Sequence, residues 1–185
     1  MEDKSALRRR LKRERLVIPD AQRRVLDSAV LEHLTALPRL QSADTVLLYL
    51  SCRGETDTYG LFDWLIARGI TAALPLCGDN GAMTFVPVQS LSQLHPGAYG
   101  IPEPDPGAPP VLTARSVCIV PGVAFTREGV RLGQGGGYYD RFLSAHEGLY
   151  TIGLCYEALL QPALPQEAHD RPVDAVVTEA GSYFR

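Results

Sequence analysis

A three-layer α/β/α fold with a mostly parallel central sheet and two N-terminal helices is predicted by three features of this 185-residue chain. Short continuous apolar runs alternate with segments of helical periodicity. One strand, helix and strand follow each other within about 30 residues, the spacing of a right-handed βαβ crossover. Most of the strand-like runs are apolar without a break, as strands covered on both faces are.

Residues 4–16 place Leu7 and Leu11 at i, i+4 among basic residues, and a short "IPD" break separates them from a second helix. That helix, about residues 20–37, lines up Leu26, Val30, Leu34 and Leu37 and stops before Pro38. "TVLLYL" at 45–50 is β-branched and aromatic and reads as a strand. Asp57 and Thr58 cap a helix that spaces Leu61, Trp64, Leu65 and Arg68 and ends at Gly69. Strands are expected at 70–76 and 83–88, then an ordered proline- and glycine-rich loop at 96–110, because a disordered linker would cut a small domain in two. Further strands are expected at 117–120, 150–155 and 173–178, with a helix at 138–146 between the first two.

Length and composition, 45% hydrophobic and 21% charged, suit one soluble globular domain over residues 1–185 and exclude fibrous and disordered classes. No apolar run approaches the ~20 residues of a membrane span, and the N-terminus lacks the apolar core of a signal peptide, so no membrane partner and a cytoplasmic location are expected. Cys52, Cys77, Cys118 and Cys155 form no CxxC pair and read as reduced thiols. None of His33, His95, His146 and His169 belongs to a recognisable triad, and all four read as surface or loop residues. Charge is uneven: residues 1–24 hold nine of the 18 Lys and Arg against four acids, net +5, and the remainder carries −8. Such a segment suits an anionic partner or a solvated helix face. A phosphate-tracking helix for nucleic acid is the weaker alternative, because no aromatics interleave with the "RRRLKRER" run and the remainder is acidic.

"RLGQGGGYYDRFL" at 131–143 lies between an expected strand and an expected helix. Ligands in open α/β sheets bind beyond the carboxyl ends of the strands. Glycines there let backbone N–H groups converge at a helix N-terminus, which favours phosphate. The stretch is neither a Walker A loop nor a GxGxxG turn, and glycines alone also permit mere close packing of strand on helix. Arg131 and Asp140 on either side favour phosphate, the first as a cation for its oxygens and the second as a carboxylate for Mg²⁺.

These residues, with "KSALR" at 4–8, "YLSCRGETDT" at 49–58, "GAYGIPEP" at 97–104, "PGVAFTREGVRLGQGGGYYDRFL" at 121–143 and "RPVDAVVTE" at 171–179, resemble the 5-formyltetrahydrofolate cyclo-ligase (5,10-methenyltetrahydrofolate synthetase) family. One departure stands out: Thr126 occupies a position where that family usually has Asp, which keeps open the alternative of a relative with the same ATP loop that acts on another substrate or only binds folate.

The resemblance implies ATP- and Mg²⁺-dependent closure of 5-formyltetrahydrofolate to 5,10-methenyltetrahydrofolate, with release of ADP and phosphate. The γ-phosphoryl group would pass to the formyl oxygen, N10 would attack the activated carbon, and phosphate would leave. Both nucleophiles belong to the substrate, so the protein need only position and neutralise. Carried over by position, Lys4, Arg8, Arg131, Leu132, Gly133, Gln134, Gly135, Gly136, Gly137, Tyr138 and Tyr139 would surround ATP. Arg131, Tyr138 and Asp140 would serve catalysis, and Asp140 with Asp174 would hold Mg²⁺. Tyr49, Leu50, Glu55 and Tyr99 would bind folate together with Gln134, Gly135, Gly136, Gly137 and Tyr138. The expected partners are thus a reduced folate and ATP, acting on a monomer.

Overall fold

The computed structural model describes residues 3–78, 81–97 and 100–185. Helices α1 (Lys4–Leu16) and α2 (Asp20–Thr35) form where the leucine spacing predicts them, with the Asp3 carboxylate accepting from the amides of Ser5 and Ala6 at the start of α1. A short helix α3 (Pro38–Gln41), not foreseen in the sequence, begins on Pro38, a residue suited to the first helical turn. Strand β1 (Thr45–Leu47) leads through a polar loop to α4 (Tyr59–Ala67), then β2 (Thr71–Cys77) and β3 (Met83–Pro87). The predicted cap of α4 is present: the Asp57 carboxylate accepts from Gly60 N at 3.0 Å, and the Thr58 hydroxyl donates to Tyr49 O at 2.7 Å.

The proline-rich stretch is more than a loop. It holds a small antiparallel pair, β4 (Leu94–Pro96) with β5 (Pro102–Pro104), and Tyr99 between them lies outside the described residues. Beyond β6 (Val117–Val120) comes a second pair, β7 (Ala124–Phe125) with β8 (Arg131–Leu132), then α5 (Tyr138–Ala145) and β9 (Tyr150–Leu154). The chain ends in β10 (Ala175–Thr178) and an unforeseen β11 (Gly181–Phe184).

The main sheet has seven strands in the order β11-β10-β9-β6-β1-β2-β3. Its five inner strands are parallel, and antiparallel β3 and β11 close the edges. Val46 of β1 pairs with both Ala72 of β2 and Val117 of β6. From β1 the chain therefore proceeds to one side, and from β6 to the other. That reversal is the switch point at which α/β sheets open a crevice.

Helices cover both faces, as predicted. Val30, Leu34, Leu61 and Leu65 of α2 and α4 pack on Val46, Val117, Ile119, Ile152 and Val177. On the opposite face Phe142 and Leu143 of α5 meet Leu47, Cys118, Val120, Val176 and the hairpin residue Phe125. All four cysteines are free, with Cys118 and Cys155 buried. Among the described residues no helix is long and apolar enough to cross a membrane.

Gly153 in β9 makes room for the hairpin: a Cβ there would lie 2.7 Å from the Phe125 Cζ. Gly153→Ala is expected to destabilise the fold by about 1–3 kcal/mol through overpacking. Urea unfolding would show this as a lowered midpoint at unchanged slope.

Candidate active site

The segments that leave β1 and β6 face each other across the crevice. The glycine-rich segment belongs to the β6 side and ends on Gly137, which caps α5 in a left-handed conformation at φ 68°. Gly135 has φ 106°, so two of its glycines adopt backbone angles that side chains disfavour. Gln134, Gly135 and Gly136 are exposed. The first amides of α5 lack intrahelical acceptors and sit at the positive end of the helix dipole. The segment thus presents donors to an anion, as its composition predicts.

Arg131 departs from expectation. Its guanidinium is buried, 5% exposed, and donates to Asp140 Oδ1 at 2.5 Å and to Pro121 O at 3.2 Å. Instead of reaching outward to phosphate, it fastens both ends of the loop to one another. Its Nη1 also fills the space beside Gly133, where a Cβ would lie 2.7 Å away. Leu132 is likewise a core residue, packed with Leu7, Leu11, Val123, Ala124 and Leu164. Tyr139 turns inward: its hydroxyl is buried without a partner, burial pushes it well above the usual phenol range, and its ring meets Phe85 edge-on at 6.3 Å. Tyr138 stays half-buried at the loop, with the Arg141 guanidinium over its ring, 5.3 Å from the centroid.

Asp140 and Asp174, the expected magnesium pair, are each held by protein groups. Asp174 immediately precedes β10, and its carboxylate accepts from Thr151 N at 2.8 Å and Thr151 Oγ1 at 2.7 Å, beside the start of β9. The glycine segment follows the other end of those parallel strands. Asp174 therefore staples the amino ends of β9 and β10. Asp140 remains at the loop, where Arg131 and the Arg171 amide both bind its Oδ1.

Helix α1 lies along the glycine segment because Leu7 and Leu11 anchor it to the hairpin. Arg8 Nε donates to Gly133 O at 2.7 Å, which brings its guanidinium to the loop. Lys4 pairs with Asp170 at 2.6 Å and Glu167 at 3.1 Å, so its ammonium is held by protein carboxylates. Across the crevice Glu55 Oε1 accepts from Gln134 Nε2 at 2.8 Å, and its Oε2 accepts from Cys52 N at 3.1 Å. Tyr49 and Leu50 are buried at 6% and 4% exposure. Tyr49 lines, with Arg15, Glu55, Thr56 and Tyr156, a cavity of about 10 Å³, room for one water and not for a ring.

Several residues of the site are not apparent from the sequence. Buried Arg15 stands 3.9 Å from Glu55 and donates to Arg53 O. Arg141 donates to Gly81 O and Gly136 O, both at 2.9 Å. A signal for Arg15 does exist, since positions 4, 8, 12 and 15 share one helix face. Thr126 has a defined place in the hairpin turn, where its hydroxyl accepts from Val130 N at 3.3 Å, as a short acidic side chain would. Two histidines sit on helices, His33 on α2 bonded to Thr178 O and His146 at the end of α5 stacked on Phe142.

Comparisons with known proteins identify the family and the fold. The model of the 5-formyltetrahydrofolate cyclo-ligase family matches residues 1–179. The 5-formyltetrahydrofolate cyclo-ligase of Escherichia coli K12 is 34% identical over 172 residues, covering 90% of this chain and 94% of its own. That of Mycolicibacterium smegmatis is 32% identical over 183 residues, covering 95% and 93%. The NMR structure of Aquifex aeolicus 5,10-methenyltetrahydrofolate synthetase superposes with a TM-score of 0.86 at 35% identity, over 98% of this chain and 92% of that one. A Mycoplasma pneumoniae 5,10-methenyltetrahydrofolate synthetase shares the fold, with a TM-score of 0.76 at 21% identity over 96% and 99%.

Two outcomes test the site's construction. Arg131→Met strands the Asp140 carboxylate and is expected to cost about 3–5 kcal/mol in denaturant unfolding. Asp170 gives a pH dependence: burial works to raise its carboxyl, but Lys4 and the Glu167 amide outweigh burial and hold it below the usual aspartate range. A depressed carboxyl stabilises above its unfolded value, about 3.9, and that stability is lost as pH falls through the folded value. Hydrogen exchange in α1 should accelerate on acidification below about pH 4, and Asp170→Asn should flatten the dependence.

Proposed function

This chain belongs to the 5-formyltetrahydrofolate cyclo-ligase family, and on that premise we propose that it closes 5-formyltetrahydrofolate to 5,10-methenyltetrahydrofolate, with ATP as co-substrate and magnesium as its ion. One observation carries the reading: exposed glycines with open helix amides face an acid-bearing loop across the sheet's switch point. Amides at 135–138 bind the terminal phosphates, and Arg8 supplies a cation beside them. Glu55 accepts from N–H groups of the pterin once Gln134 releases it, and Tyr138 walls the opening between the two substrates.

The family's magnesium is supported by one carboxylate. Among the described residues no group of three or more His, Cys, Asp or Glu side chains converges on a metal position. An ion carried by ATP phosphates needs only one or two protein carboxylates. Asp140 suits this, because both of its described bonds fall on Oδ1 and leave Oδ2 for the ion. When bound, magnesium supplies neutralisation of phosphate charge. The protein's own part is alignment: the loop holds one substrate, the Glu55 side holds the other, and no side-chain nucleophile is required.

The test is spectroscopic. Absorbance of the methenyl product should grow only when protein, ATP, magnesium and 5-formyltetrahydrofolate are all present; growth without ATP, or none at all, refutes the reading. Gly136→Val would drive a side chain into Tyr138, whose Cδ2 lies 2.9 Å from a Cβ at that position. It should raise the ATP KM by about tenfold or more, roughly 1.4 kcal/mol of binding, with the folded state retained.

A further inference from the structure

Lys12 has no assigned role, yet it stands on the same face of α1 as Lys4, Arg8 and Arg15, at steps of four, four and three residues. The flanking residues mark the two halves of the crevice. Arg8 reaches Gly133 O on the glycine segment, and Arg15 reaches Arg53 O and Glu55 on the opposite loop. A helical turn rises about 5.4 Å, so Lys12 lies between those halves, roughly one turn from each.

Positive charge dominates its surroundings. Lys12 is half-buried and makes no hydrogen bond or ion pair within the described residues. The charges that act on it most strongly are Arg15, Arg8 and Arg53, opposed by Glu55. Glu55 is already engaged by Gln134 and Cys52. Burial first, then Arg15 and Arg8, lower the affinity of its amine for the proton. A second unsatisfied donor points the same way: Arg15 Nε is buried without a partner in a side chain 6% exposed, and Arg15 lines the small cavity beside Glu55. Arg15, which carries an unpaired buried donor, stands beside a Glu55 carboxylate already engaged elsewhere, and positive charge outweighs it around Lys12. The arrangement is complete only when a further anion arrives.

We propose that Lys12 is a catalytic residue that binds the phosphoryl group during its transfer from ATP to the formyl oxygen. The inference rests on the function proposed above, which places ATP at Arg8 and folate at Glu55, and Lys12 lies between them. In the step, the bond from the γ-phosphorus to the bridging oxygen breaks, and ADP keeps the electron pair. A bond forms from the formyl oxygen to phosphorus. The N10 lone pair then attacks the formyl carbon, the carbon–oxygen bond breaks to release phosphate carrying the former formyl oxygen, and the N10 proton leaves to water. Negative charge is spread over the equatorial oxygens in the first of these steps, and an ammonium pre-placed there lowers its barrier.

The experiment compares Lys12→Met and Lys12→Arg with wild type. Lys12→Met should lower kcat about 100-fold, the effect of losing one oriented charge, while both KM values stay within about threefold. Lys12→Arg should recover most of that loss, and unchanged thermal unfolding should show that α1 remains docked. An unaltered kcat, a defect confined to the ATP KM, or an arginine variant as slow as the methionine one overturns the inference. Calorimetry with ADP and aluminium fluoride, a planar mimic of the phosphoryl in flight, is the independent arm. Lys12→Met should weaken that complex at least about tenfold while ADP alone binds as before. Equal weakening of both overturns the inference. Wild-type protein that binds the mimic but forms no methenyl product would instead fail the parent function and leave the Lys12 result standing on the calorimetry.

Discussion

The pairing of β1 with β6 in parallel is the constraint on which the site depends. Strands that run side by side but continue in opposite directions must part beyond their carboxyl ends, and the space between their loops cannot be filled by a crossover. One bank of that opening is the segment from Leu48 to Thr58, held by the Thr58 hydroxyl on Tyr49 O. The other is the hairpin and glycine segment, held by Phe125 against Gly153 and by Arg131 on Asp140. Helix α1 lies beside both and contributes charge from outside the sheet. Among the cations of the first 24 residues, Lys4 and Arg15 are engaged by protein acids, and Arg8 bonds the glycine segment.

Buried charge is used here for positioning. A guanidinium at 5% exposure is costly unless its donors are matched, and Arg131 has a carboxylate and a carbonyl for two of its nitrogens. That arrangement sets the distance between the strand entering the glycine segment and the helix leaving it. The segment itself can then remain open, with exposed backbone, because its ends are fixed. Asp174 and Thr151 do comparable work at the opposite end of the sheet, where three hydrogen bonds join neighbouring strands side chain to backbone and hydroxyl.

Much of this fold was legible because its signals are local. The spacing of Leu7 and Leu11, the Asp57 cap and the apolar run at 117–120 each specify an element within a few residues, and each element formed. What escaped depends on partners distant in sequence. The strand at 181–184 has a half-exposed, polar-aromatic pattern and exists because β10 offers it an unpaired edge. The two-residue strands β7 and β8 are too short for any periodicity, and only the turn around Thr126 and Gly129 brings them together. In the site, the residue types of Arg131 and Asp140 announced charge chemistry, but not that the two satisfy each other across nine residues. For Asp174 the motif is recognisable, but the end of the strand on which it lies is decided by register with β9.

The hydrogen bond from Gln134 to Glu55 has a consequence for selectivity. A ligand donor that takes the place of the glutamine amide on the Glu55 carboxylate would exchange one bond for another and gain little from being merely polar. An analogue without donors fares far worse, for it would displace the glutamine and leave a nearly enclosed anion with a vacant lone pair. On the proposed function, the crevice would discriminate by the penalty it imposes on impostors more than by the reward it gives its true guest.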